Sequence, residues 1–423
     1  MLTISIAGLG SRGKDTYGQA LTQMRDRARV VAVADPNPAK VREVAGMFDL
    51  KPEQCFGSVE EMLEKPRLAD VMLICTQDRQ HVPNAIPALE KGYDVLLEKP
   101  ISPELEQCKK LLKVSRETGR KVAVCHVLRY APFYRKIKEV LDSGVLGELT
   151  SIMGIENVCY WHQAHSFVRG NWRRSDETSP MFLAKCCHDM DLMVWLTGRK
   201  CARLSSFGSL SHFKPENAPE GAAQRCLEGC RAKERCPYDA EKIYITNEAT
   251  GVAHGHTGWP CDILALHPTE ETIRRAIETG PYGRCVYFCD NNVVDHQVVN
   301  LEMEGGLTVS YTMSAFTAGG GRFTYFMGTH GDMIADMAKN TITVTPFGGA
   351  PQVYDFNLAS REMSGHAGGD CILLSEFLDY VEGKEAPGIT SLEASMESHF
   401  IAIAAEESRI RGGAPMDMAE FRR

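Results

Sequence analysis

The chain is predicted to be an α/β protein whose first third forms a doubly wound parallel sheet. Three observations predict it: short, continuously apolar strands alternate with helical stretches, two of those helices close at a glycine, and a glycine-rich turn follows the first strand. Strands apolar on every residue are buried on both faces, which calls for helices on either side of a parallel sheet.

The elements follow in order. Leu2 to Ala7 is an apolar strand that runs into Gly8-Leu-Gly10-Ser11-Arg12-Gly13. Glycines at these places allow a tight turn, let backbone N–H groups approach a pyrophosphate, and let the next helix pack closely on the strand. Such a motif is weak in isolation and gains meaning here from its position between a strand and a helix. The second strand, Val30 to Ala34, ends in Asp35, an acid placed to accept hydrogen bonds from an adenosine ribose. Strand, turn and acid together imply a bound dinucleotide on a Rossmann sheet. Asp35 would repel a 2′-phosphate and neither Pro36 nor Asn37 is an arginine, so the expected cofactor is NAD. Ala39 to Phe48 reads as a helix, Val71 to Cys75 as a buried strand, and His81 to Lys91 as a helix stopped by Gly92. Tyr93 to Leu97, the helix Pro103 to Thr118 ended by Gly119, and Lys121 to Cys125 complete the sheet. Ligands of such sheets lie at the carboxyl ends of the strands. Thr76, Gln77 and His81 after the third strand, and Glu98-Lys99-Pro100 after the fourth, are therefore candidate site residues.

Composition narrows the class. A chain of 423 residues is expected to hold two domains, and 43% hydrophobic with 24% charged residues is a globular composition. The net charge of −8 argues against nucleic acid as a partner, because phosphate backbones need a basic surface. No apolar stretch is long enough to cross a bilayer, and the first residues read as a core strand rather than a signal peptide, so a cytoplasmic protein with no membrane partner is expected. Fifteen scattered cysteines, an odd count, exclude a complete disulfide framework.

The sequence resembles the Gfo/Idh/MocA oxidoreductases, the family that includes inositol dehydrogenase. The matching residues are Gly8 to Gly13, Asp35, the Thr76 to His81 segment, Glu98-Lys99-Pro100, Arg129-Tyr130 with Pro132, Gly144-Val-Leu-Gly147, and His188-x-x-Asp191-Leu-x-x-Trp-Leu196. The likeness covers about the first 200 residues and is looser beyond Arg203. It implies an NAD-binding Rossmann domain over residues 1–126. An α+β domain over 127–423, with an open, mainly antiparallel sheet, would bind substrate and make subunit contacts. Leu149 to Tyr160, Val293 to Met303, Leu307 to Ser314, Thr324 to Gly328 and Ile342 to Thr345 are strand-like. Pro180 to Leu196 (closed by Gly198), Cys371 to Glu382 and Ser391 to Arg411 are helical. An open sheet covered on one face predicts a homodimer or homotetramer that hides the other.

Hydride transfer at a hydroxyl-bearing carbon needs a group that exchanges the hydroxyl proton. Lys99, just past a strand end and followed by Pro100, is the leading candidate. The resemblance adds His188, at the place of a helix histidine that faces the nicotinamide. Many relatives carry an aspartate one turn earlier; here that position is Ala184, and the neighbouring Lys185 is assigned to substrate hydroxyls or a developing oxyanion. Asp191 reads as a structural helix residue. Expected cofactor contacts are Gly8, Gly10, Ser11, Arg12, Gly13, Asp35, Thr76, Gln77, His81, Glu98, Lys99 and Arg129. Trp161, His162, Trp172 and Arg173 combine aromatic faces with donors suited to a sugar or a carboxylate, and with Lys99, Lys185 and His188 form the expected substrate set. Aromatic packing beside a solvated basic pair is the alternative reading of that segment.

A long insert, about residues 211–284, is too polar to expect a core of its own and carries Cys226, Cys230 and Cys236. Three thiolates at this spacing could hold a structural zinc with a fourth ligand from His212, Cys261, Cys285 or Cys289. Reduced packing cysteines, or a disulfide pair, are the other readings. Asp295-His296-Gln297 and His366 to Asp370 could also reach the pocket. The sequence thus points to an NAD-dependent dehydrogenase acting on the CH–OH group of a sugar, cyclitol or glycoside. A glycosidase that works through transient oxidation and elimination, and a nucleotide or sugar sensor without turnover, are the alternatives.

Overall fold

The computed structural model describes residues 1–357 and 368–423. Among them a six-stranded parallel sheet is built from β1 (Leu2–Ala7), β2 (Ala28–Ala34), β3 (Cys55–Phe56), β4 (Val71–Ile74), β5 (Asp94–Leu97) and β6 (Val122–Val124). The spatial order β3-β2-β1-β4-β5-β6 reverses direction of growth at β1/β4, and a ligand crevice opens where that happens. Ile4, Ile6, Val71, Leu73 and Leu96 are buried on one face of this sheet, and Ala7, Met72, Ile74, Val95 and Leu97 on the other. That two-sided burial is why the strands read as continuous apolar runs.

A second sheet comprises β7 (Leu149–Asn157), β8 (Cys201–Ser209), β9 (His296–Met303), β10 (Thr308–Ser314), β11 (Gly321–Gly328), β12 (Gly331–Asp336), β13 (Thr341–Pro346), β14 (Gln352–Asp355) and β15 (Met416–Asp417). Its order is β14-β13-β12-β11-β7-β10-β9-β8-β15, antiparallel except for the β10/β7 pair. Burial alternates along these strands, as in β9, so one face packs on helices and the other looks outward. Met153, Phe207, Ile334 and Val353 are exposed on this sheet.

Helix Met181–Thr197 packs on helix Leu392–Ile410. Helix Gly369–Val381 returns to the first sheet, where Leu373, Leu374, Phe377 and Leu378 join the cluster containing Ile4 and Ile6. The backbone N–H of Val124 donates to the Thr390 carbonyl, tying the two parts at the strand that ends in the site.

Several element bounds differ from the sequence reading. β7 stops at Asn157 and Tyr160 starts a helical segment. Helix Pro132–Asp142, which buries Phe133, Tyr134, Ile137 and Val140, and strands β8 and β12 escape a search for long apolar runs because each is apolar on one face only. The insert does have a core: Phe213, Tyr238, Ile243, Tyr244, Ile245, Ile273, Ile277 and Val286 are buried together with Ala164 and Val168. Part of that core comes from helix Glu270–Thr279, started by a Thr269/Thr272 capping box.

Candidate active site

The turn after β1 is shaped by its glycines. Gly8 has φ +89°, and a Cβ there would lie 2.6 Å from the Cys75 carbonyl oxygen; one on Gly13 would lie 1.9 Å from the Gly8 oxygen. Both positions are closed to any side chain. Gly10 is different: nothing lies within 4 Å of its would-be Cβ, which leaves the mouth of the turn open toward the crevice. Asp35 accepts the backbone N–H of Leu9 (2.7 Å) and of Asn37 (2.8 Å), so its carboxylate also braces the turn.

Arg12 lies across the crevice floor. Its Nε donates to Glu98 (2.6 Å), and its Nη2 donates to Tyr17 Oη and to Asp370 (both 2.6 Å). Burial pushes the Glu98 carboxyl up, but Arg12 and Lys99 outweigh it and hold it below the ordinary carboxylate value. His81 bridges the Pro100 carbonyl (2.7 Å) and the Thr76 carbonyl (3.0 Å), fixing the two strand-end loops against each other. The Lys99–Pro100 peptide is cis. Lys99 Nζ donates to the Ala184 carbonyl at 3.0 Å, which places the ammonium against helix Met181–Thr197, the helix that carries Lys185 and His188.

These groups line one cleft of about 630 Å³, the size range of small-molecule sites. Gly10, Ser11, Arg12, Thr76, Gln77, His81 and Glu98 line it on the Rossmann side. Lys99, Lys185, His188, His162 and Trp172 line it further along. The remaining predicted residues sit behind or away from it. Gly8, Gly13 and Asp35 shape the turn as described. Trp161 stacks on His162 (centroids 5.9 Å) and meets Trp259 at a tilt of 51° (5.1 Å). Arg173 pairs with Asp290 and Glu177.

Arg129 corrects an expectation. It makes a bidentate pair with Asp191 (Nε 2.6 Å, Nη2 2.5 Å), is 7% exposed, and does not line the cleft. Above that pair lies His126, whose ring meets His188 edge-on at 5.6 Å. Burial, then the charges of Arg129 and Lys99, hold His126 well below its ordinary value and therefore neutral.

The cleft also takes residues with no sequence signal. Asn37 and Lys40 reach it from the loop and helix after β2, and Arg322 from β11. The insert supplies a wall through Trp259, Asp262 to Leu266 and Tyr282. Trp259 packs edge-on to His162 (4.7 Å) and His165 (5.5 Å), and Tyr282 stacks on His165 at 4.8 Å. Burial, then the neighbouring Asp15, raises the Asp262 carboxyl to about 6.

The zinc expectation is not supported. Among the described residues no group of three or more His, Cys, Asp or Glu is arranged to hold a metal. Cys226, Cys230, Cys236 and Cys285 do share a cavity, but it is about 10 Å³ and includes Arg169. Cys226 Sγ accepts the Ala240 N–H and a bond from Arg169 Nη2. Burial raises the Cys226, Cys236 and Cys285 thiols, so they persist protonated as small apolar groups. A cation beside them disfavours a second cation. Asp295 binds Ser211 and the His212 N–H, and so anchors the start of the insert. His366 lies outside the described residues, and Asp370 holds Arg12.

Comparison with known proteins agrees with the two-part fold. The model of an oxidoreductase family's NAD-binding Rossmann fold matches residues 2–126, and that of the same family's C-terminal alpha/beta domain matches residues 138–418. "Putative oxidoreductase YteT" of Bacillus subtilis is 24% identical over 445 residues, covering 100% of this chain and 99% of that protein. Inositol 2-dehydrogenase of Corynebacterium glutamicum is 25% identical over 200 residues, covering 47% of this chain and 55% of the relative. An inositol dehydrogenase homolog from Azotobacter vinelandii, solved with NADH and myo-inositol, superposes with a TM-score of 0.67 at 16% identity, covering 98% and 97% of the two chains.

Proposed function

Because the chain belongs to the Gfo/Idh/MocA oxidoreductase family, with an NAD-binding Rossmann fold and a C-terminal alpha/beta domain, we propose that it is an NAD-dependent dehydrogenase of a sugar, cyclitol or related polyol. The observation that carries this reading is that Lys99, Lys185 and His188 line the same cleft as the glycine turn. The relative of known structure with NADH and myo-inositol supports the polyol class.

The residues fit the cofactor. Gly10 leaves the turn open where a pyrophosphate would lie, and Ser11 and Arg12 follow at the start of a helix. When bound, NAD accepts or returns the hydride at its nicotinamide ring. Lys99 and His188 exchange the substrate hydroxyl proton, and the Lys99 bond to the Ala184 carbonyl sets the height of its ammonium over the cleft. Glu98 acts on Arg12 rather than on substrate. Trp172, held by its Nε1–H to Asp78 (3.1 Å), offers an apolar face for sugar C–H groups.

Residues 1–126 and 127–423 are the two working units of this reading, in a cytoplasmic enzyme. Its exposed sheet residues Met153, Phe207, Ile334 and Val353 form a self-complementary contact in a homodimer or homotetramer. Light scattering that gives a monomer at micromolar concentration refutes the contact. The activity is tested with purified protein, NAD and a panel of polyols, sugars and aryl glycosides. Lasting NADH absorbance supports the dehydrogenase, aglycone release without net NADH supports the glycosidase, and cofactor binding with neither supports a sensor.

A further inference from the structure

The acid after β2 does not complete a cofactor pocket by itself. Asp35 Oδ2 accepts the Leu9 amide and Oδ1 the Asn37 amide, and the carboxylate sits behind the lining of the cleft. Asn37 and Lys40 form the lining there. Another part of the wall comes from the insert, where Asp262, in the first turn of the short helix Cys261–Leu264, lines the cleft together with Ile263 and Leu264.

Asp262 is set apart by its surroundings. Its Oδ1 is buried and has no hydrogen-bond partner among the described residues. The charges that act on it are Asp15 and Lys14, on the segment Ser11–Gly18 that follows the glycine turn, and Lys40, on helix Pro38–Phe48. Lys14 is taken up by Asp15 (3.2 Å) and Glu43 (3.1 Å). An acid of the insert is thus brought to the two Rossmann elements between which the adenosine end of a dinucleotide lies: the helix start that takes the pyrophosphate, and the end of the second strand, which takes the ribose.

Holding an acid in this place works against the cofactor-free fold. Burial, then Asp15, favours the neutral carboxyl against the pull of Lys14 and Lys40, and lifts it to about 6. A carboxyl raised by folding lowers stability at pH values where it is ionised. A buried acceptor without a partner is also unfavourable until a donor arrives. The ribose of NAD carries hydroxyl donors at this end of the molecule, and an ionised acid accepts them in charge-assisted bonds. A 2′-phosphate brings negative charge in place of a donor.

We propose that Asp262 is a cofactor-specificity residue supplied by the insert, its carboxylate accepting the 2′-hydroxyl of the NAD adenosine ribose and tying the insert to that end of the cleft. It rests on the NAD-dependent reading of the site and not on the identity of the substrate. Asp262→Asn removes the charge and keeps the shape, and titration calorimetry reads its effect without turnover. The probes are NADH, NADPH, ADP-ribose and the 2′-deoxyadenosine analogue of NADH. NADH affinity should fall about tenfold, and the preference for NADH over NADPH should narrow by at least about that factor, because the amide no longer repels the phosphate. ADP-ribose, which lacks the nicotinamide, should lose about as much as NADH. The parent should bind the 2′-deoxy analogue about tenfold more weakly than NADH, and the variant should bind the two within about threefold of each other. Without cofactor, at about pH 7.5, the variant should melt at or above the parent temperature, since ionisation of the parent carboxyl is disfavoured in the fold.

A loss of equal size for NADH, NADPH and the 2′-deoxy analogue marks Asp262 as a latch between the insert and the Rossmann sheet and overturns the proposal. So does an Asn variant with the parent affinities. A parent that binds NADH and the 2′-deoxy analogue alike overturns it too, and that measurement needs no variant. Steady-state NADH formation from polyols is measured in parallel. Asp262-dependent preference for NADH with no polyol oxidised upholds the specificity residue and refutes the dehydrogenase. Polyol turnover with cofactor affinities that ignore Asp262 refutes the specificity residue and leaves the dehydrogenase standing.

Discussion

Removing the Lys99 ammonium tests the proposed chemistry most directly. Lys99→Met keeps an apolar stem in the cleft and deletes the Nζ that donates to the Ala184 carbonyl at 3.0 Å. That carbonyl belongs to helix Met181–Thr197 and keeps an i+4 amide as partner, so no buried acceptor is orphaned. The expected stability cost is therefore about 1 kcal/mol, the net worth of one hydrogen bond. Turnover should fall about 10²–10⁴-fold, the usual contribution of a positioned acid or base. That loss equals about 2.7–5.4 kcal/mol of barrier, several times the structural cost, so activity and stability separate cleanly. Steady-state NADH formation gives kcat, thermal melting gives stability, and fluorescence titration gives NADH affinity, which should change far less than kcat. A kcat within about threefold of the parent across pH 6 to 9 would falsify the assignment of Lys99 as the proton-exchanging group.

NAD should bind at least about tenfold more tightly than NADP by calorimetry, about 1.4 kcal/mol, because Asp35 at the end of β2 would repel a 2′-phosphate; equal affinities contradict this. Lys40 lines the cleft and works against that preference, so Lys40→Ala should widen it. Asp35→Ser should weaken both cofactors, since it removes the acceptor for the Leu9 and Asn37 amides. Arg129→Ala should destabilise by about 3–5 kcal/mol in urea melts by stranding the buried Asp191, whereas a change confined to cofactor affinity would return Arg129 to the cofactor site. Acid should destabilise the fold through its buried histidines. Burial holds His126 and His162 well below 6.5 and takes His165 and His399 to about 3, so they stay neutral when folded and charge when unfolded. Depressed folded-state values mean that stability is full above about pH 6.5 and is lost as pH falls through 6 to 4, with up to about four protons taken up on unfolding. Urea midpoints that are flat over that window would show these imidazoles to be solvated.

Sequence by itself determined the first sheet, because its signals are local. Apolar runs mark strands buried on both faces, and Gly8 and Gly13 are required by contacts within the turn and with Cys75, one strand away. His188 was singled out only through the family pattern, since a histidine on an apolar helix has ordinary structural uses, whereas Lys99 was also marked by its place just past a strand end. Tertiary structure decided everything that depends on which distant residues meet. Arg129 looked like a site residue until Asp191 took both edges of its guanidinium. Arg322 carried no signal because its place in the cleft depends on the pairing of β11 with β7, which sets it beside Glu156. Lys40 and Asp262 join the site from segments more than half the chain apart, brought together when the insert packs over the crevice. The insert shows the same limit from the other side: its apolar residues are too dispersed to read as a core, and its cysteines read as ligands, until the chain closes around Phe213, Tyr244 and Ile273 and buries the thiols beside Arg169. Periodicity reports which residues are buried; only the fold reports what they are buried against.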